Sequence, residues 1–356
     1  MAYQILTINP GSTSTKIALF MDDRIIGETT LKHDTDELSA YETIINQLDF
    51  RRDIILKFLD EHDIDLKDID VFVGRGGMLK PLKKSGAYVI DATMLDDLRN
   101  CRYGSHASNL GALLADELAE KHNRPAYVVD PVSIDEMEDI ARECGMEKIK
   151  RTSVFHALNQ KATAHKHAKT MNAKYDDLTL IVCHLGGGIS VGLHKKGRVV
   201  DVNNALGGDG PFSPERTGTV PTFPLIDMCF SGEYTKQDIQ RKLVGGGGLV
   251  AYLNTSDGLT IEKMIEDGDK KAEFYLDAMA YTVIKEIGSL YMAAAGAVDG
   301  VLLTGGLAYS EHFVDFVKQH IESSVKCYVY PGERELEALA EGALRVLKGE
   351  EKPRRY

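Results

Sequence analysis

Two short turns of glycine and hydroxyl residues are the segments of this chain best suited to bind phosphate. The first, from Asn9 to Lys16, reads NPGSTSTK, and the second, from His184 to Ser190, reads HLGGGIS. Each turn follows an apolar strand and precedes a strand, a charged hairpin tip and a third strand. Glycine lets backbone N–H groups approach an anion closely, and serine and threonine add hydroxyl donors. The repetition in both halves predicts a duplicated domain that grips a polyphosphate from two sides.

Two arginines lie in segments where their side chains could reach an anionic ligand. Arg75 is flanked by glycines in GRGG after an apolar strand, and Arg216 lies in the polar, proline-stiffened segment GPFSPERTG. A planar guanidinium binds two oxygens of a carboxylate or phosphate at once. His184 ends an apolar strand, where a histidine is commonly a core residue. The three glycines after it favour a donor that faces an anion.

Carboxylates at two places are candidates for holding a metal ion. Asp130 follows the strand AYVV, where an aspartate either binds Mg²⁺ or forms a turn. Glu333 and Glu335 begin the terminal helix, where acidic residues also stabilise the helix N-terminus. The residue types leave both interpretations open at each place.

A different chemistry is suggested by Gly188–Gly192, which matches the G-x-S-x-G pattern of a hydrolase nucleophile elbow. That elbow needs a helix after the serine. The residues after Ser190 alternate like strands, so an acyl hydrolase is the weaker alternative. No Walker-type loop occurs, and no G-x-G-x-x-G opens a helix after a strand, which disfavours the usual phosphate-loop and dinucleotide folds.

The composition is that of a globular protein from a reducing compartment. The chain has 356 residues, enough for two domains that each have a core. Its net charge of −12 argues against a nucleic-acid partner. Five scattered cysteines without a C-x-x-C pair argue against disulfides and structural zinc, and favour the cytoplasm. The early strand predicts no signal peptide, and no apolar run approaches about 18 residues, which predicts no membrane span.

Strands and helices alternate along the chain, which predicts an α/β fold. Apolar residues at helical spacing predict helices over residues 35–60, 108–122, 156–171, 270–295 and 335–347. Apolar runs predict strands over residues 70–73, 126–129, 298–304 and 326–330, besides the hairpins at 5–26 and 178–202. The run His165-Lys166-His167 is expected on the solvated face of its helix, and residues 245–248 in a flexible loop.

The two turns resemble the phosphate motifs of the acetate kinases, and Thr304 to Ala308 (TGGLA) resembles their adenosine motif. The resemblance extends in order over almost the whole chain. Within this acetokinase family it is closest to the butyrate kinases, whose pattern includes INPGSTSTK and the NNAL…GPFSPER stretch between Asn203 and Arg216. The family is part of the superfamily of acetate and sugar kinases, heat-shock chaperones and actin.

The resemblance implies a duplicated ribonuclease-H-like fold, the actin-like ATPase fold, with a nucleotide cleft between its two domains. The implied N-terminal domain covers residues 1–150 plus 335–356. The implied C-terminal domain, for nucleotide binding and dimerisation, covers residues 151–334. The resemblance further implies a homodimer or higher homo-oligomer, with no nucleic-acid or membrane partner.

The activity implied by the resemblance is that of the butyrate kinases. In this reversible, Mg-dependent reaction, ATP transfers a phosphoryl group directly and in line to butyrate, giving butanoyl phosphate and ADP. Branched-chain fatty-acid kinase and acetate kinase are the alternatives within the family. A non-catalytic ATP switch on the same fold is an alternative outside it.

The resemblance also implies a role for each matching residue. It places in catalysis Arg75, Arg216, His184, Asp130, Glu335 and His156. It places at the nucleotide Asn9, Ser12, Ser14, Lys16, Gly186, Gly187, Gly188, Asp257, Gly305 and Gly306. It lines the carboxylate pocket with Arg75, Gly76, Gly77, His106 and Phe155. It assigns the metal to Asn9, Asp130 and Glu335, with Glu333 as the alternative to Glu335.

Two sites depart from the acetate kinase pattern. Acetate kinases carry asparagine where this chain has Gly187, so a backbone N–H must replace a side-chain donor. They also carry two valines where this chain has Gly76 and Gly77. The loss of both valine side chains predicts room for a longer acyl chain, which favours butyrate or a branched acid over acetate.

Overall fold

The computed structural model describes residues 2–356, without the side chain of Thr35, and divides into two compact units. Unit 1 comprises Met1–Ile134 and Arg334–Tyr356, and unit 2 comprises Asp135–Glu333. Each unit has its own mixed β-sheet with helices packed against it. This α/β architecture confirms the predicted fold class.

The division between the units differs from the predicted boundary after residue 150. Residues 135–150 belong to unit 2 because Lys161 Nζ lies 2.6 Å from Glu136 Oε2, and the pair is buried. The backbone N–H of Glu138 also donates to the Val200 carbonyl, at 2.8 Å. These contacts tie the start of the segment to unit 2.

The secondary structure alternates as the sequence predicts. The strands are β1 (Gln4–Pro10), β2 (Ser14–Met21), β3 (Arg24–Lys32), β4 (Val71–Arg75), β5 (Ala87–Val89), β6 (Ala126–Val129), β7 (Thr179–Leu185), β8 (Ile189–Lys195), β9 (Arg198–Val202), β10 (Gly300–Gly305) and β11 (Cys327–Pro331). The helices are α1 (Thr35–Ser39), α2 (Leu48–Glu61), α3 (Ala92–Arg99), α4 (Asn109–Glu120), α5 (Asp139–Arg142), α6 (Ala157–Thr170), α7 (Thr222–Phe230), α8 (Lys236–Leu243), α9 (Leu249–Leu253), α10 (Gly258–Glu266), α11 (Lys270–Ala293), α12 (Glu311–Ile321) and α13 (Glu335–Leu347). Single 3-10 turns cover Ile45–Gln47, Leu66–Asp68, Tyr175–Asp177 and Gly306–Tyr309.

The two sheets repeat one topology. The strand order is β3-β2-β1-β4-β6-β5 in unit 1 and β9-β8-β7-β10-β11 in unit 2. In each unit three antiparallel strands lead into parallel ones, because β1 pairs with β4 and β7 pairs with β10 in parallel. Both outer hairpins also carry a register shift, after Leu19 in β2 and after Leu193 in β8. The shared order and irregularity support the duplication predicted from the two turns.

The core of unit 2 lies on both faces of its sheet. Alternate residues of a strand point to opposite faces. Ile181 and Cys183 of β7 belong to the cluster that contains α11, whereas Leu180 and Val182 join the smaller cluster beside α6. In unit 1, α4 packs on β4 and α13 packs on β1. The strand ends that carry the candidate residues are therefore anchored in rigid, buried elements.

One predicted helix is broken in the structure. Residues 35–60 form α1, a 3-10 turn and α2 rather than one continuous helix. The interruption contains Thr43, Ile44 and Ile45, whose β-branched side chains lose conformational freedom in a helix. Thr43 Oγ1 also donates to Asn46 Oδ1, at 2.9 Å, which gives the chain a local alternative to helical hydrogen bonds. Among residues 2–356, no helix combines the length and apolar character needed to cross a membrane.

Candidate active site

Asn9, Arg75 and Glu335 form one hydrogen-bonded cluster in unit 1. They lie at the end of β1, at the end of β4 and at the start of α13, and β1 and β4 are parallel neighbours. Asn9 Nδ2 lies 2.6 Å from Glu335 Oε2. Arg75 Nη1 lies 2.8 Å from Glu335 Oε1 and 3.2 Å from Asn9 Oδ1. The fold thus brings three predicted site residues from distant parts of the sequence together at one sheet edge.

The two candidate glutamates at the start of the terminal helix have different surroundings. The Glu335 side chain is 13% exposed and contacts Asn9 and Arg75, whereas the Glu333 side chain is 41% exposed. Glu333 Oε1 lies 3.5 Å from His184 Nε2, in unit 2. Glu335 thus lies in one cluster with Asn9 and Arg75, and Glu333 lies beside His184.

Asp130 and His106 lie near the same edge of the unit 1 sheet. Val129 pairs with Arg75 in the sheet, and Asp130 is the next residue. Asp130 has a left-handed φ of 40°, and its Oδ1 accepts a hydrogen bond from the Gly86 backbone N–H at 2.6 Å. His106 Nδ1 lies 2.8 Å from Ser108 Oγ. Loss of hydration, and then the charge of Arg75, lower the pKa of His106, so Arg75 lies within electrostatic range of this histidine.

Gly76 and Gly77 do not open the acyl pocket that their small size predicts. Both are buried, and a methyl group at Gly76 would lie 2.5 Å from Val128 Cγ1 and also clash with Pro131. A methyl group at Gly77 would lie 2.5 Å from Asn109 Cα. Neighbouring residues of the protein already occupy the space that two valine side chains would need. The pocket argument for a longer acid is therefore wrong, because these glycines permit close backbone packing instead.

A buried arginine that the sequence analysis did not single out supports the first turn. Arg51, in α2, is fully buried and donates to the carbonyl oxygens of Gly11, Ser12 and Ser14 at 2.9–3.2 Å. Since the carbonyls of this turn are held from beneath, the side chains of Ser12, Ser14 and Lys16 lie on the outer side, whereas Thr15 is buried. Ser12 and Lys16 are exposed, and Ser14 is half-buried. This placement suits the predicted phosphate contacts.

Arg51 carries a charge that no carboxylate pairs with in the described part of the chain. Its remaining side-chain hydrogen bonds go to Gln47 Oε1, at 2.9 and 3.2 Å, and to Thr15 Oγ1. Burial lowers the pKa of Arg51 to about 10. Next to it, His33 Nε2 lies 2.8 Å from Thr15 Oγ1, and burial, followed by the charge of Arg51, lowers the pKa of His33 to about 4. The turn therefore rests on one buried cation beside a neutral histidine.

In unit 2, the Gly186–Gly188 turn joins β7 to β8 and lies against Arg216. A side chain at Gly188 would overlap the Arg216 guanidinium, so glycine is required for this approach. Arg216 Nη1 donates to the Ala205 carbonyl at 2.6 Å. Its buried Nε has no hydrogen-bond partner among the described residues, and burial lowers its pKa. An arginine N–H left unpaired beside a glycine turn fits a site for a bound anion.

His184 and His156 stack beside the same turn. Their ring centroids are 3.8 Å apart, with 13° between the ring planes. His184 is 2% exposed, and its Nδ1 lies 2.8 Å from Asn159 Oδ1 on α6. His156 is half-buried, and its Nδ1 lies 2.9 Å from Ser190 Oγ. Phe155, predicted beside the substrate, is 3% exposed and directly precedes His156.

Ser190 is not part of a nucleophile elbow. It lies within β8, which continues into the antiparallel strand β9 rather than into a helix. Its side chain is fully buried. Since the elbow geometry presents an exposed serine at the start of a helix, the structure gives no support to an acyl hydrolase.

A cavity of about 350 Å³ adjoins the glycine turn of unit 2. Four predicted nucleotide residues line it, namely Gly186, Gly187, Asp257 and Gly306. Apolar walls come from Leu259, Leu276, Leu307 and Tyr309. Asp257 is exposed and caps α10 by accepting from the Thr260 N–H. The Thr260 hydroxyl, followed by this N–H, lowers the pKa of Asp257. The size and the mixed lining suit an aromatic base attached to a polar group.

Gly305 serves the packing of the sheet rather than the lining of this cavity. It has a φ of 92°, and a side chain there would overlap the Leu185 carbonyl. Its backbone N–H donates to the Gly332 carbonyl, at 3.2 Å. A methyl group at Gly306, by contrast, would meet nothing within 4 Å. The two adjacent glycines therefore have different roles. Gly305 permits close packing of the backbone, and Gly306 leaves open space beside the cavity.

The oxygen atoms of the cluster formed by Asn9, Arg75 and Glu335 suit a magnesium ion whose other ligands come from a nucleotide. Across residues 2–356, no group of three or more His, Cys, Asp or Glu is arranged to hold a metal ion. Mg²⁺ usually keeps several waters and binds through one or two carboxylates plus substrate phosphates, so it needs no such group. The convergence of Glu335 and Asn9 supplies oxygen ligands of the required kind at one place.

One other expectation is wrong. His167 is 1% exposed rather than solvated, because its Nδ1 lies 2.8 Å from Tyr330 Oη and its ring packs near Tyr328. Residues 245–248 form a loop between α8 and α9, as predicted, and this loop packs against the Arg216 segment. A side chain at Gly248 would overlap the Ser213 carbonyl, and the Gly245 N–H donates to the Glu215 carbonyl at 2.7 Å. The glycine run therefore helps to fix the segment that carries Arg216.

Comparison with known proteins agrees with this fold. The sequence profile of the Acetokinase family matches residues 139–328, more than half of the chain. The structure of Porphyromonas gingivalis acetate kinase superposes with a TM-score of 0.77 at 18% identity, covering 97% of this chain and 100% of that one. Entamoeba histolytica acetate kinase gives 0.75 at 18% identity, covering 95% and 98%. A propionate kinase from Francisella tularensis subsp. tularensis SCHU S4 gives 0.73 at 17% identity, covering 95% and 98%.

The structural likenesses establish the fold, and the sequence profile establishes the family. The fold is the actin-like ATPase fold, with the repeated strand order described above. The chain belongs to the acetokinase family of carboxylate kinases, within the superfamily of acetate and sugar kinases, heat-shock chaperones and actin.

Proposed function

We propose that this chain transfers the terminal phosphoryl group of ATP to a short-chain carboxylate, giving an acyl phosphate and ADP. The observation that carries the proposal is the set of donors around the Gly186–Gly188 turn. Arg216, whose Nε is unpaired among residues 2–356, lies beside this turn together with the stacked pair His184 and His156. Such a set neutralises charge on phosphoryl oxygens, which is the main demand of phosphoryl transfer.

The acceptor oxygen belongs to the substrate, so the protein needs no general base to create the nucleophile. A carboxylate is already ionised at neutral pH. The difficulty lies in bringing two anions together, which positioned cations and donors overcome. In the proposal Arg75 binds the carboxylate and Arg216 and His184 bind the phosphoryl oxygens. The Arg75–Glu335 contact at 2.8 Å supports this role, since it demonstrates that Arg75 can engage a carboxylate.

The nucleotide and metal assignments are also part of the proposal. ATP would bind with its base in the 350 Å³ cavity and its phosphates at the glycine turn and at Ser12, Ser14 and Lys16. Asn9, Glu335 and Asp130 would hold Mg²⁺, partly through water. When bound, Mg²⁺ would neutralise charge on the phosphates. The family's use of ATP or ADP with Mg supports these assignments.

We further propose that butyrate is the preferred acid. The support is the resemblance of the Asn203–Arg216 segment to the butyrate kinases, since the glycine argument no longer applies. Asn203 has a clear structural task in this segment. Its Oδ1 accepts from the Val191 N–H, and its Nδ2 donates to the carbonyls of Ile189 and Asp209. It thereby ties β8 to the segment that leads to Arg216.

A carboxylate series tests the activity and the preference together. Straight acids of two to five carbons and isobutyrate are supplied with Mg-ATP, and the acyl phosphate is trapped with hydroxylamine. The proposal predicts hydroxamate formation that matches ADP release, with the highest kcat/KM for butyrate. A maximum at acetate or isobutyrate would retain the kinase and reject butyrate as the preferred acid. ADP release without dependence on any carboxylate would reject the kinase and favour a non-catalytic ATP switch.

A further inference from the structure

A chain of buried hydrogen bonds runs from the interior of unit 2 to the ring of His156. It passes through Tyr175, His194, Gln160 and Ser190, which are between 0 and 5% exposed. The links are Tyr175 Oη to His194 Nδ1 at 2.7 Å, His194 Nε2 to Gln160 Oε1 at 2.9 Å, and Gln160 Nε2 to Ser190 Oγ at 2.8 Å. The last link joins Ser190 Oγ to His156 Nδ1 at 2.9 Å.

The direction of this chain is fixed at Gln160. The Nε2 of this amide lies 3.0 Å from the Ser190 backbone carbonyl, which can only accept a hydrogen bond. The NH₂ group must therefore point towards Ser190, and Oε1 must point towards His194. Because Oε1 only accepts, His194 Nε2 must carry a proton.

The His194 ring agrees with this direction. Burial, followed by the charges of Lys161 and His165, lowers the pKa of His194 well below its usual value. A neutral ring with its proton on Nε2 has a bare Nδ1. That nitrogen accepts from the Tyr175 hydroxyl at 2.7 Å. Every donor in this part of the chain thus has an acceptor.

The same logic determines the proton at His156. Gln160 donates to Ser190 Oγ, so the serine hydroxyl must place its own hydrogen elsewhere. Among the described residues, the other side-chain atom within hydrogen-bond distance of Ser190 Oγ is His156 Nδ1. A buried hydroxyl hydrogen without an acceptor would cost about 1–3 kcal/mol. Ser190 therefore donates to His156 Nδ1, which must be bare.

We infer that Gln160 and Ser190 are positioning residues that hold neutral His156 with its ring proton on Nε2. In that form Nε2 is a neutral hydrogen-bond donor, as a phosphoryl oxygen requires. The inference rests on the proposed function for the identity of the anion, but the position of the proton follows from the hydrogen bonds alone. Without this constraint, a neutral histidine would also populate the tautomer with its proton on Nδ1, and the bare Nε2 of that tautomer repels an anion.

Nitrogen-15 NMR of the full chain with labelled histidine tests the proton position directly. The His156 signals are identified by their loss in His156→Gln. The expected result is a protonated Nε2 and a bare Nδ1 at neutral pH. In Ser190→Ala and in Gln160→Met the Nδ1–H form should become populated, whereas Ser190→Thr, which keeps the hydroxyl, should resemble the parent. A parent spectrum with the proton on Nδ1 would overturn the inference.

Steady-state kinetics supply the second readout. The control variant is Thr163→Val, which removes a buried hydroxyl from α6, the helix that also carries Gln160. Ser190→Ala and Gln160→Met should lower kcat about tenfold while changing the KM for the acid less than threefold. Ser190→Thr and Thr163→Val should stay within threefold in both constants. An equal loss in Thr163→Val would assign the effect to packing and overturn the inference. If the protein shows the expected proton position but no kinase activity, the proposed function is rejected and the hydrogen-bond chain is retained.

Discussion

At the scale of single residues, the proposed chemistry depends on two arginines in different settings. Both are half-buried, but Arg75 pairs with Glu335, whereas the buried Nε of Arg216 has no hydrogen-bond partner among the described residues. Both guanidinium groups would stabilise charge on the reacting oxygens rather than move protons. Their removal should therefore affect turnover more than folding, and the effect should be of the size found for a lost transition-state donor.

Replacing either arginine by alanine should reduce kcat about a hundredfold, since a lost donor of this kind costs roughly 3 kcal/mol of barrier. The measurement is steady-state ADP release with saturating Mg-ATP and acid, together with thermal unfolding to check the fold. Arg124→Ala is the matched control, because that arginine is exposed in unit 1 and donates to the Lys67 carbonyl. Turnover near that of the parent in Arg75→Ala or in Arg216→Ala would contradict the role of that residue.

The lowered pKa of His33, about 4, links the first turn to pH. Above about pH 6.5 the ring is neutral in both folded and unfolded chains, so its contribution to stability is fully present. Between pH 6.5 and 4 the unfolded chain gains a proton that the folded chain does not. As the pH falls, the free energy of unfolding should therefore decrease, by about 3 kcal/mol once both states are protonated.

Urea unfolding of the parent and of His33→Gln between pH 7.5 and 4 measures this difference. The variant should lack this part of the acid loss, so the two free energies of unfolding should converge as the pH falls. The comparison also removes the contribution of the carboxylates, which both proteins share. Parallel curves across this range would show that His33 is protonated equally in the folded and unfolded chains.

At the scale of elements, the first turn is held by the helix beneath it. Arg51 of α2 binds three backbone carbonyls of the turn, and Gln47 orients its guanidinium. In Arg51→Met those carbonyls lose their donors while the buried charge is removed. We expect the KM for ATP to rise at least tenfold and the stability to fall by about 2–4 kcal/mol.

The control for Arg51 is Arg52→Met on the same helix, because the Arg52 side chain is 24% exposed and pairs with Asp49 at 2.6 Å. This surface replacement should change stability by less than about 1 kcal/mol and leave the KM for ATP unchanged. The measurements are ATP saturation kinetics and urea unfolding. An Arg51→Met protein that binds ATP normally would contradict the support role of α2.

The glycines after β4 give a second prediction at this scale. Gly76→Ala and Gly77→Ala should destabilise the protein by at least about 1–3 kcal/mol, because each added methyl meets buried atoms at about 2.5 Å. Gly27→Ala in β3 is the control, since a methyl there meets nothing within 4 Å. Thermal unfolding measures the effect. Stable Gly76 and Gly77 variants with a preference shifted to acetate would restore the pocket argument.

At the scale of the whole molecule, the sequence predicted the duplicated architecture well because its signals are repeated. The two turns, their hairpins and the terminal helix at Glu335–Leu347 follow from local spacing of glycines and apolar residues. Local signals also place Asn9, Arg75 and Glu335 at element ends. That these three meet requires the parallel pairing of β1 with β4, which no local pattern shows.

What the sequence could not predict depends on contacts between distant residues. The support of the first turn by Arg51 and the chain from Gln160 through Ser190 to His156 are of this kind. The error at Gly76 and Gly77 has the same origin. A missing side chain predicts space only if the backbone stays in place, whereas here neighbouring residues occupy it.

The most direct test of the central claim follows the oxygen atoms of the acid. The protein is given Mg-ATP and butyrate labelled with oxygen-18 in both carboxylate positions, and the product is cleaved with hydroxylamine, which attacks its carbonyl carbon. If a carboxylate oxygen attacks the terminal phosphorus of ATP, the released inorganic phosphate carries one oxygen-18 atom, and the nucleotide product is ADP. Unlabelled phosphate, or AMP as the nucleotide product, would contradict phosphoryl transfer to the carboxylate.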